Sequence, residues 1–223
     1  MTDSVSQHIL WPRWQDTGLR SMRIFVSDRS LIMEILREKP STKRPTIVRV
    51  ATSLFARRGI DGTSMRDVAG AAGVREAAIY RYFESKEHMS REIFFSWYGW
   101  YSRQLRDIVR GGGSTREKVA AMSRLELSTA ADHTEAFIYF CENEIRFLKS
   151  LPANVSRVDE LLIELVKHGQ KRGDVKHGDA ILLADMLGGA LCSVATAAVR
   201  RRRKEKIDLD LIASSCWSLI AAA

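Results

Sequence analysis

The sequence lacks the short motifs that mark many enzymes and metal proteins. Its three cysteines, Cys141, Cys192 and Cys216, are far apart and form no CxxC pair, which excludes a zinc ribbon and a thioredoxin-like motif. No GxSxG, GxxxxGK[ST] or HExxH motif is present, and the triple glycine at 111–113 is not followed by Lys-Ser or Lys-Thr. We therefore expect reduced thiols, no metal, no cofactor and no catalytic site.

The chain also has little that would send it into or across a membrane. Its start carries Asp3 and no long apolar run, which argues against a signal peptide. The most apolar stretch, Ala180 to Val199, contains Asp185, Ser193 and Thr196 and falls short of a convincing membrane span. With 223 residues, of which 45% are hydrophobic and 28% charged, the composition is that of a globular protein. We predict a cytoplasmic location.

Strand-like alternation of apolar and polar residues is absent, whereas helical spacing of apolar residues runs from Pro45 onward. This pattern predicts an all-α bundle joined by short loops. Residues 1–40 have no sustained period, and we interpret them as a largely irregular extension with a short helical pattern at Ser30–Lys39. The nine predicted helices cover 45–58, 64–72, 74–83, 85–109, 115–130, 132–149, 153–171, 178–203 and 207–221.

Two short predicted helices, 64–72 and 74–83, are separated by a tight turn at Gly73, which is the spacing of a helix-turn-helix unit. The second helix has an outward face of Arg75, Glu76, Ala78 and Arg81, and such a helix fits the DNA major groove, about 12 Å wide. The alternative is an ordinary helical hairpin with solvated arginines.

Charge supports DNA binding by this segment. The chain holds 35 Lys and Arg against 27 Asp and Glu, a net charge of +8. Residues 37–91 alone hold 12 Lys and Arg against 6 Asp and Glu, a net charge of +6. A basic surface on a helix-turn-helix unit is what binding to phosphates requires.

The runs LFARRGIDGTSMRDVAGAAGV, residues 54–74, and IYRYFESKE, residues 79–87, form a dense pattern. Together they resemble the TetR family of bacterial one-component transcriptional regulators, over about 45 of the 223 residues. The resemblance implies a three-helix DNA-binding domain at 41–88. It also implies a helical domain at 89–223 that binds an effector and dimerises.

The resemblance assigns DNA contacts to particular positions. Thr63, as N-cap, and Ser64 are expected to offer the start of the second helix to a phosphate. Arg75, Glu76 and Ala78 are expected to face base edges. The full set of predicted DNA contacts is Lys43, Arg44, Thr63, Ser64, Arg66, Arg75, Glu76, Ala78, Tyr80, Arg81, Tyr82 and Lys86.

Two residues depart from the family pattern. Arg75 stands where a small capping residue is common, and Ala77 stands where glycine is common. Arg75 either reads a guanine through a bidentate contact, worth ~1–3 kcal/mol of discrimination, or touches only phosphate.

The resemblance also makes the fourth helix, which is aromatic all round, the link between the DNA-binding domain and an effector pocket. Glu126 and Glu144 lie on otherwise apolar helix faces, so each carboxylate needs a partner or a ligand. A salt bridge to Arg124 or Arg146, and core packing of the aromatic residues, are the alternatives. The predicted effector-binding residues are Trp97, Trp100, Tyr101, Glu126, Phe140 and Glu144.

The last two predicted helices are rich in small residues that permit close approach, so we predict that the chain forms a homodimer through them; a monomeric core is the alternative. The basic run Arg200–Lys204 suits a solvated helix end, with a second DNA contact as the other interpretation.

The combined prediction is a sequence-specific transcriptional regulator and not an enzyme. We expect a repressor that a small hydrophobic or amphipathic effector releases from a palindromic operator in double-stranded DNA. One alternative is a ligand-independent architectural DNA-binding protein. The other is an enzyme or small-molecule binding protein with a vestigial DNA-binding domain.

Overall fold

The computed structural model describes residues 43–201 and 208–222. The predicted extension at 1–40 and residues 202–204 of the basic run lie outside these ranges. The described part of the chain is all-α, as predicted, and a short 3-10 helix, Leu148–Ser150, follows the sixth of its nine α-helices. These are α1 (Arg44–Arg58), α2 (Met65–Ala72), α3 (Glu76–Ile79), α4 (Lys86–Arg110), α5 (Thr115–Asp132), α6 (Thr134–Phe147), α7 (Val158–Arg172), α8 (Ala180–Arg200) and α9 (Leu209–Ile220).

Helices α1 to α3 form a small N-terminal unit, called the head below. Its interior is made of side chains that helical spacing turns to one side of each element. Phe55 of α1, Ile79 of α3 and Phe83 are fully buried there, and Val68 of α2 packs with them. Burying such side chains contributes about 1.5–3 kcal/mol each, so apolar packing is the main force that holds these short helices together.

The 25-residue helix α4 joins the head to the remaining helices, called the body. At 1.5 Å per residue it is about 37 Å long. Ser85 starts it, because the hydroxyl oxygen accepts a hydrogen bond from the His88 backbone N–H at 3.0 Å. Met89 is buried at its head end, and Leu105 is buried at its body end. One long helix therefore carries the chain from the head into the body.

The body consists of α5 to α9 packed around the far half of α4. Helix α7 packs along α8, α5 packs along α9, and α6 lies against α1 of the head. The end of the chain is tied back to the turn after α7, where the Lys176 N–H donates to the Ile220 carbonyl at 2.9 Å and the Ala222 N–H to the Asp174 carbonyl at 3.0 Å. Distant parts of the sequence are thus held in one core.

The second helix of the helix-turn-helix unit is shorter than the predicted 74–83. Gly73 has φ of +64° and ends α2, and the Val74 N–H donates back to the Ala69 carbonyl at 3.1 Å. This cap uses the backbone of Val74, so α3 begins only after Arg75. Beyond Ile79 the chain continues as turns to Phe83, whose N–H donates to the Ile79 carbonyl at 3.0 Å.

Helix boundaries in the body also differ from the predicted ones. Helix α7 begins at Val158 and not at 153, because a turn closed by the Val155 N–H and the Pro152 carbonyl, 3.0 Å apart, precedes it. The predicted helix 132–149 is α6, which begins at Thr134 and gives way to the 3-10 helix after Phe147. Helix α8 ends at Arg200, earlier than the predicted 203.

Helix α8 is the one helix within the described ranges that is long and apolar enough to cross a bilayer, with a mean hydropathy of 1.8 and 28% of the stretch buried. It packs along α7 and α9. A helix of a globular body passes the same length and composition test, so the finding is weak support for a membrane span.

The close packing of α7 against the start of α5 predicts an effect for Gly169→Ala. A Cβ at Gly169 would lie 2.4 Å from Val175 Cγ2 and 3.0 Å from Thr115 Cγ2. We expect the variant to lose about 1–3 kcal/mol of unfolding free energy, measured by urea denaturation, because overpacking displaces neighbouring side chains.

Gly70→Ala is the control for that variant, since a Cβ at exposed Gly70 of α2 meets nothing within 4 Å. Alanine there should raise the unfolding free energy by up to about 1 kcal/mol. Equal stability of the two variants would show that the α7–α5 contact tolerates a methyl group.

Candidate nucleic-acid interface and interior cavity

The start of α2 is fixed by a capping box at Ser64. The Ser64 hydroxyl oxygen accepts a hydrogen bond from the Asp67 N–H at 3.1 Å, and Asp67 Oδ2 accepts one from the Ser64 N–H at 2.8 Å. Hydrogen bonds from Ser64 lower the pKa of Asp67. The helix therefore presents an ordered, exposed N-terminus, which suits an anion such as a phosphate.

The prediction that Thr63 caps α2 was wrong. The Thr63 side chain is buried, and its hydroxyl donates to the Gly59 carbonyl at 2.9 Å. It thus secures the turn between α1 and α2 from the inside. Ser64, one residue later, takes the capping position, and the Thr63 hydroxyl is not offered to solvent.

Helix α3 projects polar side chains from a buried anchor. Ile79 is fully buried, whereas Tyr80 is 50% exposed, and Arg75, Glu76 and Arg81 are exposed as well. Arg75 is the N-cap of α3 but makes no capping hydrogen bond with its side chain. Its guanidinium is therefore not used to start the helix. Ala78 and Tyr82 are half-buried beside this group.

Two further predicted contacts lie at the ends of neighbouring helices. Lys86 is the first residue of α4 and is half-buried, with Nζ 3.5 Å from the Asp61 carbonyl oxygen. Arg44 is used within the fold, because its guanidinium pairs with Glu92 at 2.7 Å and lies over the Phe83 ring at 5.1 Å. Of the predicted DNA contacts, only Thr63 is buried; Arg44 is half-buried but engaged with Glu92. The other predicted residues, all exposed or half-exposed, are called the head surface below: Lys43, Ser64, Arg66, Arg75, Glu76, Ala78, Tyr80, Arg81, Tyr82 and Lys86.

A small cavity lies between α4, α5 and α6 in the body. Its volume of about 20 Å³ is room for one water molecule. The cavity is therefore too small for an organic effector in this conformation, and it is called closed in that sense below. Five of the six predicted effector-binding residues line it, together with three that sequence reasoning missed; Glu144 does not line it. The lining residues are Trp97, Trp100, Tyr101, Glu126, Thr129, Ala136, Phe137 and Phe140.

The polar centre of this cavity is a hydrogen bond from the Tyr101 hydroxyl to the Glu126 carboxylate. Burial raises the pKa of Glu126 to about 7, and the hydrogen bond from Tyr101 opposes part of that rise. The alternative partner Arg146 pairs instead with Glu87 of α4, at 2.9 Å. Burial also raises the pKa of Glu144, which is only half-buried.

A second, open cleft of about 220 Å³ lies where α1 meets the α5–α6 connection. Trp97 lines both this cleft and the closed cavity. Its ring packs against His133 and Trp100, with centroids 5.5 and 6.0 Å away. Trp97 therefore stands between the head–body junction and the cavity.

Comparison with known proteins identifies the head. Residues 47–93 match the sequence model of the bacterial regulatory proteins of the tetR family. The chain belongs to the TetR family. The matched residues run from α1 into α4 and contain the whole α2–turn–α3 unit described above.

Relatives of this TetR protein include transcriptional repressors of actinobacteria. It is 28% identical to the repressor KstR2 of Mycolicibacterium smegmatis over 51% of this chain and 55% of that protein, so the match spans about half the relative's length. It is 28% identical to KstR2 of Rhodococcus jostii over 81% of this chain and 90% of that protein.

A solved structure shares the fold. The regulator FadR of Bacillus subtilis, in complex with stearoyl-CoA, superposes with a TM-score of 0.62 at 22% identity and covers 78% of this chain and 95% of that one. At this identity the likeness shows the architecture alone.

Helix α6 packs against the head of this TetR protein. This contact was not predicted from the sequence. The Tyr139 hydroxyl donates to the Ser90 carbonyl at 2.6 Å, and its ring stacks on Phe55 with centroids 5.8 Å apart. At the surface, Arg57 of α1 pairs with Glu135 at 2.6 Å. The head is thus connected to the cavity wall through α6 as well as through α4.

Some missed residues carried a usable signal. Thr129 follows Glu126 by three positions, and Ala136 precedes Phe140 by four, so each shares a helix face with a residue that was predicted. The role of Tyr139 had no such signal, because its partners Ser90 and Phe55 are distant in the sequence and meet it only through packing.

Proposed function

We propose that this TetR protein is a transcriptional repressor. In this proposal it binds double-stranded operator DNA as a homodimer and leaves it when a small hydrophobic or amphipathic effector occupies the body. The observation that carries the proposal is the capped α2–turn–α3 unit, with Arg75, Glu76 and Arg81 exposed around a buried anchor at Ile79. Such a protein acts in the cytoplasm, where its DNA is.

The head surface supplies the two kinds of contact that sequence-specific binding needs. The N-terminus of α2 at Ser64 and the ammonium of Lys86 suit phosphates, and these contacts fix the position of the head on the duplex. The exposed side chains of Arg75 and Glu76, at the start of α3, suit base edges in the major groove. We propose that the hydroxyl of Tyr80, whose side chain is half exposed, contacts the phosphate backbone.

The proposed dimer interface is the exposed face of α8. Four large apolar side chains stand out on this helix at 36–58% exposure: Ile181, Leu182, Met186 and Val194. Small residues, Gly189 and Ser193, lie among them and are exposed too. A second copy of the same face would cover this stripe by two-fold symmetry. The two heads of the dimer would then bind two half-sites of the operator whose centres lie one turn of the DNA helix apart, about 34–36 Å, or somewhat more.

The proposed dimer predicts that Leu182→Glu yields a protomer of 25.2 kDa where the parent protein forms a species of twice that mass, because each copy would bury a charged carboxylate in the apolar interface. Light scattering coupled to size-exclusion chromatography measures this. Ile145→Glu is the matched control, since Ile145 is 91% exposed and belongs to α6, outside the proposed interface helix. A dimer that survives Leu182→Glu at micromolar concentration would place the interface elsewhere.

Effector binding requires the closed cavity to widen. An effector of several carbon atoms needs more than about 20 Å³, so we infer that Trp97 moves and that the cleft and the cavity join. Because α4 and α6 line the cavity and both contact α1 of the head, widening shifts the heads relative to the groove. The effector acts through its higher affinity for this shifted state. The relative solved with stearoyl-CoA supports a long acyl chain as the first effector to test.

The test is fluorescence anisotropy with a labelled duplex from upstream of the gene and a scrambled duplex of equal length, both at about 150 mM salt. We expect tight binding of a dimer to the upstream duplex alone, and release when stearoyl-CoA or another hydrophobic ligand is added. Equal weak binding to both duplexes would favour the architectural alternative. Specific binding that no ligand changes would contradict effector control.

A further inference from the structure

The wall of the closed cavity contains an indole N–H that the fold itself does not use. Trp100 is 3% exposed, and its Nε1 is buried with no hydrogen-bond acceptor in the described part of the chain. A tryptophan N–H can only donate, and a buried one ordinarily has a partner. Trp100 lines the closed cavity but not the open cleft. The cavity is therefore the place from which an acceptor can come.

The hydroxyl donors in the same wall are already engaged. The Tyr101 hydroxyl donates to the Glu126 carboxylate, and the Thr129 hydroxyl donates to the Leu125 carbonyl at 2.7 Å. An occupant of the cavity could accept a hydrogen bond from either hydroxyl only by breaking one of these bonds. The Trp100 N–H is the buried donor that an occupant can use without such a loss.

Charge restricts the kind of acceptor that suits this donor. The described residues that line the cavity include no lysine or arginine. Glu126 belongs to the same wall, and burial raises the pKa of its carboxyl to about 7, because the surroundings disfavour a negative charge. An anionic acceptor would meet the same cost with no cation to offset it. A neutral oxygen, such as the carbonyl of a ketone, ester or amide, avoids this cost.

We propose that the effector carries a neutral carbonyl oxygen that accepts a hydrogen bond from Trp100 Nε1, while its apolar remainder packs against Phe137 and Phe140. This inference rests on the proposed function, because it specifies the ligand of the same cavity. A carbonyl can replace a water molecule on the indole without loss of the hydrogen bond, whereas a hydrocarbon leaves the N–H unpaired. The donor therefore selects oxygenated hydrophobic molecules over hydrocarbons of the same shape.

The test uses two probes of nearly equal shape, acetophenone and α-methylstyrene, in which a C=O group is replaced by C=CH2. Isothermal titration calorimetry measures the Kd of each probe for the full-length protein and for Trp100→Phe, which keeps an aromatic ring and removes the N–H. We expect the variant to bind acetophenone about 2- to 12-fold more weakly, the value of one hydrogen bond. Its affinity for α-methylstyrene should be unchanged, which would show that the cavity still forms.

Trp217→Phe is the matched control. Trp217 lies in α9, is half-buried and does not line the cavity, so the same substitution there should leave both Kd values unchanged.

Two-dimensional NMR of the indole N–H groups reports the hydrogen bond directly in the parent protein. The Trp100 signal is identified by its loss in Trp100→Phe. We expect its proton resonance to move downfield when acetophenone binds, because the N–H gains an acceptor, and not to move downfield with α-methylstyrene.

Three results would overturn the proposal. These are no binding of acetophenone by the parent protein up to the solubility of the probe, an equal change for both probes in Trp100→Phe, and no downfield movement of the Trp100 signal at saturation. None of these readouts involves DNA. Operator DNA that another ligand releases, with acetophenone showing any of the three results, would leave the proposed repressor in place and reject the carbonyl. Carbonyl recognition without specific DNA binding would reject the repressor alone.

Discussion

Arg75→Ala is expected to reduce the preference for the operator over scrambled DNA by about 5- to 150-fold, which corresponds to ~1–3 kcal/mol. The reason is the position of Arg75 at the start of α3, exposed and with no capping hydrogen bond from its side chain. A guanidinium placed there can donate two hydrogen bonds to one guanine. Anisotropy titrations with both duplexes at constant salt measure the two affinities.

Lys86→Ala provides the contrast. Lys86 begins α4, and a phosphate contact there should weaken both duplexes by a similar factor and lower the slope of affinity against salt by about one. Lys167→Ala, which removes a charge from an exposed position on α7, controls for net charge and should change neither. If Arg75→Ala instead weakens both duplexes equally, Arg75 contacts phosphate and does not read a base.

Glu126→Gln is expected to stabilise the protein increasingly as pH rises. Burial raises the pKa of Glu126 from an ordinary 4.5 to about 7, so between these values the folded chain binds more protons than the unfolded one. Stability contributed by this group is present below pH 4.5 and lost as pH rises through about 7. The full loss is about 3 kcal/mol. A glutamine, which stays neutral and still accepts a hydrogen bond from Tyr101, avoids it.

Urea unfolding of parent and variant at several pH values between 5 and 8, at one protomer concentration, gives the difference in unfolding free energy. That difference should grow toward pH 8. Glu142→Gln, on the exposed side of α6, removes a carboxylate from the surface and should give a flat difference. A constant difference for Glu126→Gln would mean that the carboxylate reaches solvent or a cation in solution.

The two charge effects have different physical origins. Arg75 acts at the surface, where water screens it until DNA displaces the solvent. Glu126 acts in the interior, where removal from water is itself the cost of ionisation. An effector that donates a hydrogen bond to Glu126 would compete with the Tyr101 hydroxyl for the carboxylate. The same carboxylate would therefore affect both the stability of the protein and its choice of ligand.

Local pattern determined most of the head. Helical spacing of apolar residues predicted α1, α2 and the all-α fold, and the run from Leu54 to Val74 identified the family before any coordinates. The length of α3 did not follow from the sequence pattern. The Val74 N–H donates a hydrogen bond to the Ala69 carbonyl and so caps α2, which leaves Val74 outside α3. Apolar residues continue through Phe83, and periodicity alone does not separate helix from helical turns.

The sequence by itself thus determined the fold class, the family and five of the residues around the cavity, because these follow from spacing along single helices. Only the tertiary structure decided that Thr63 and Arg44 serve the fold, that the cavity is closed, and that α6 holds the head through the stacking of Tyr139 on Phe55. Each of these depends on which helix faces which. That choice is made by packing across long sequence separations, which periodicity along one helix does not encode.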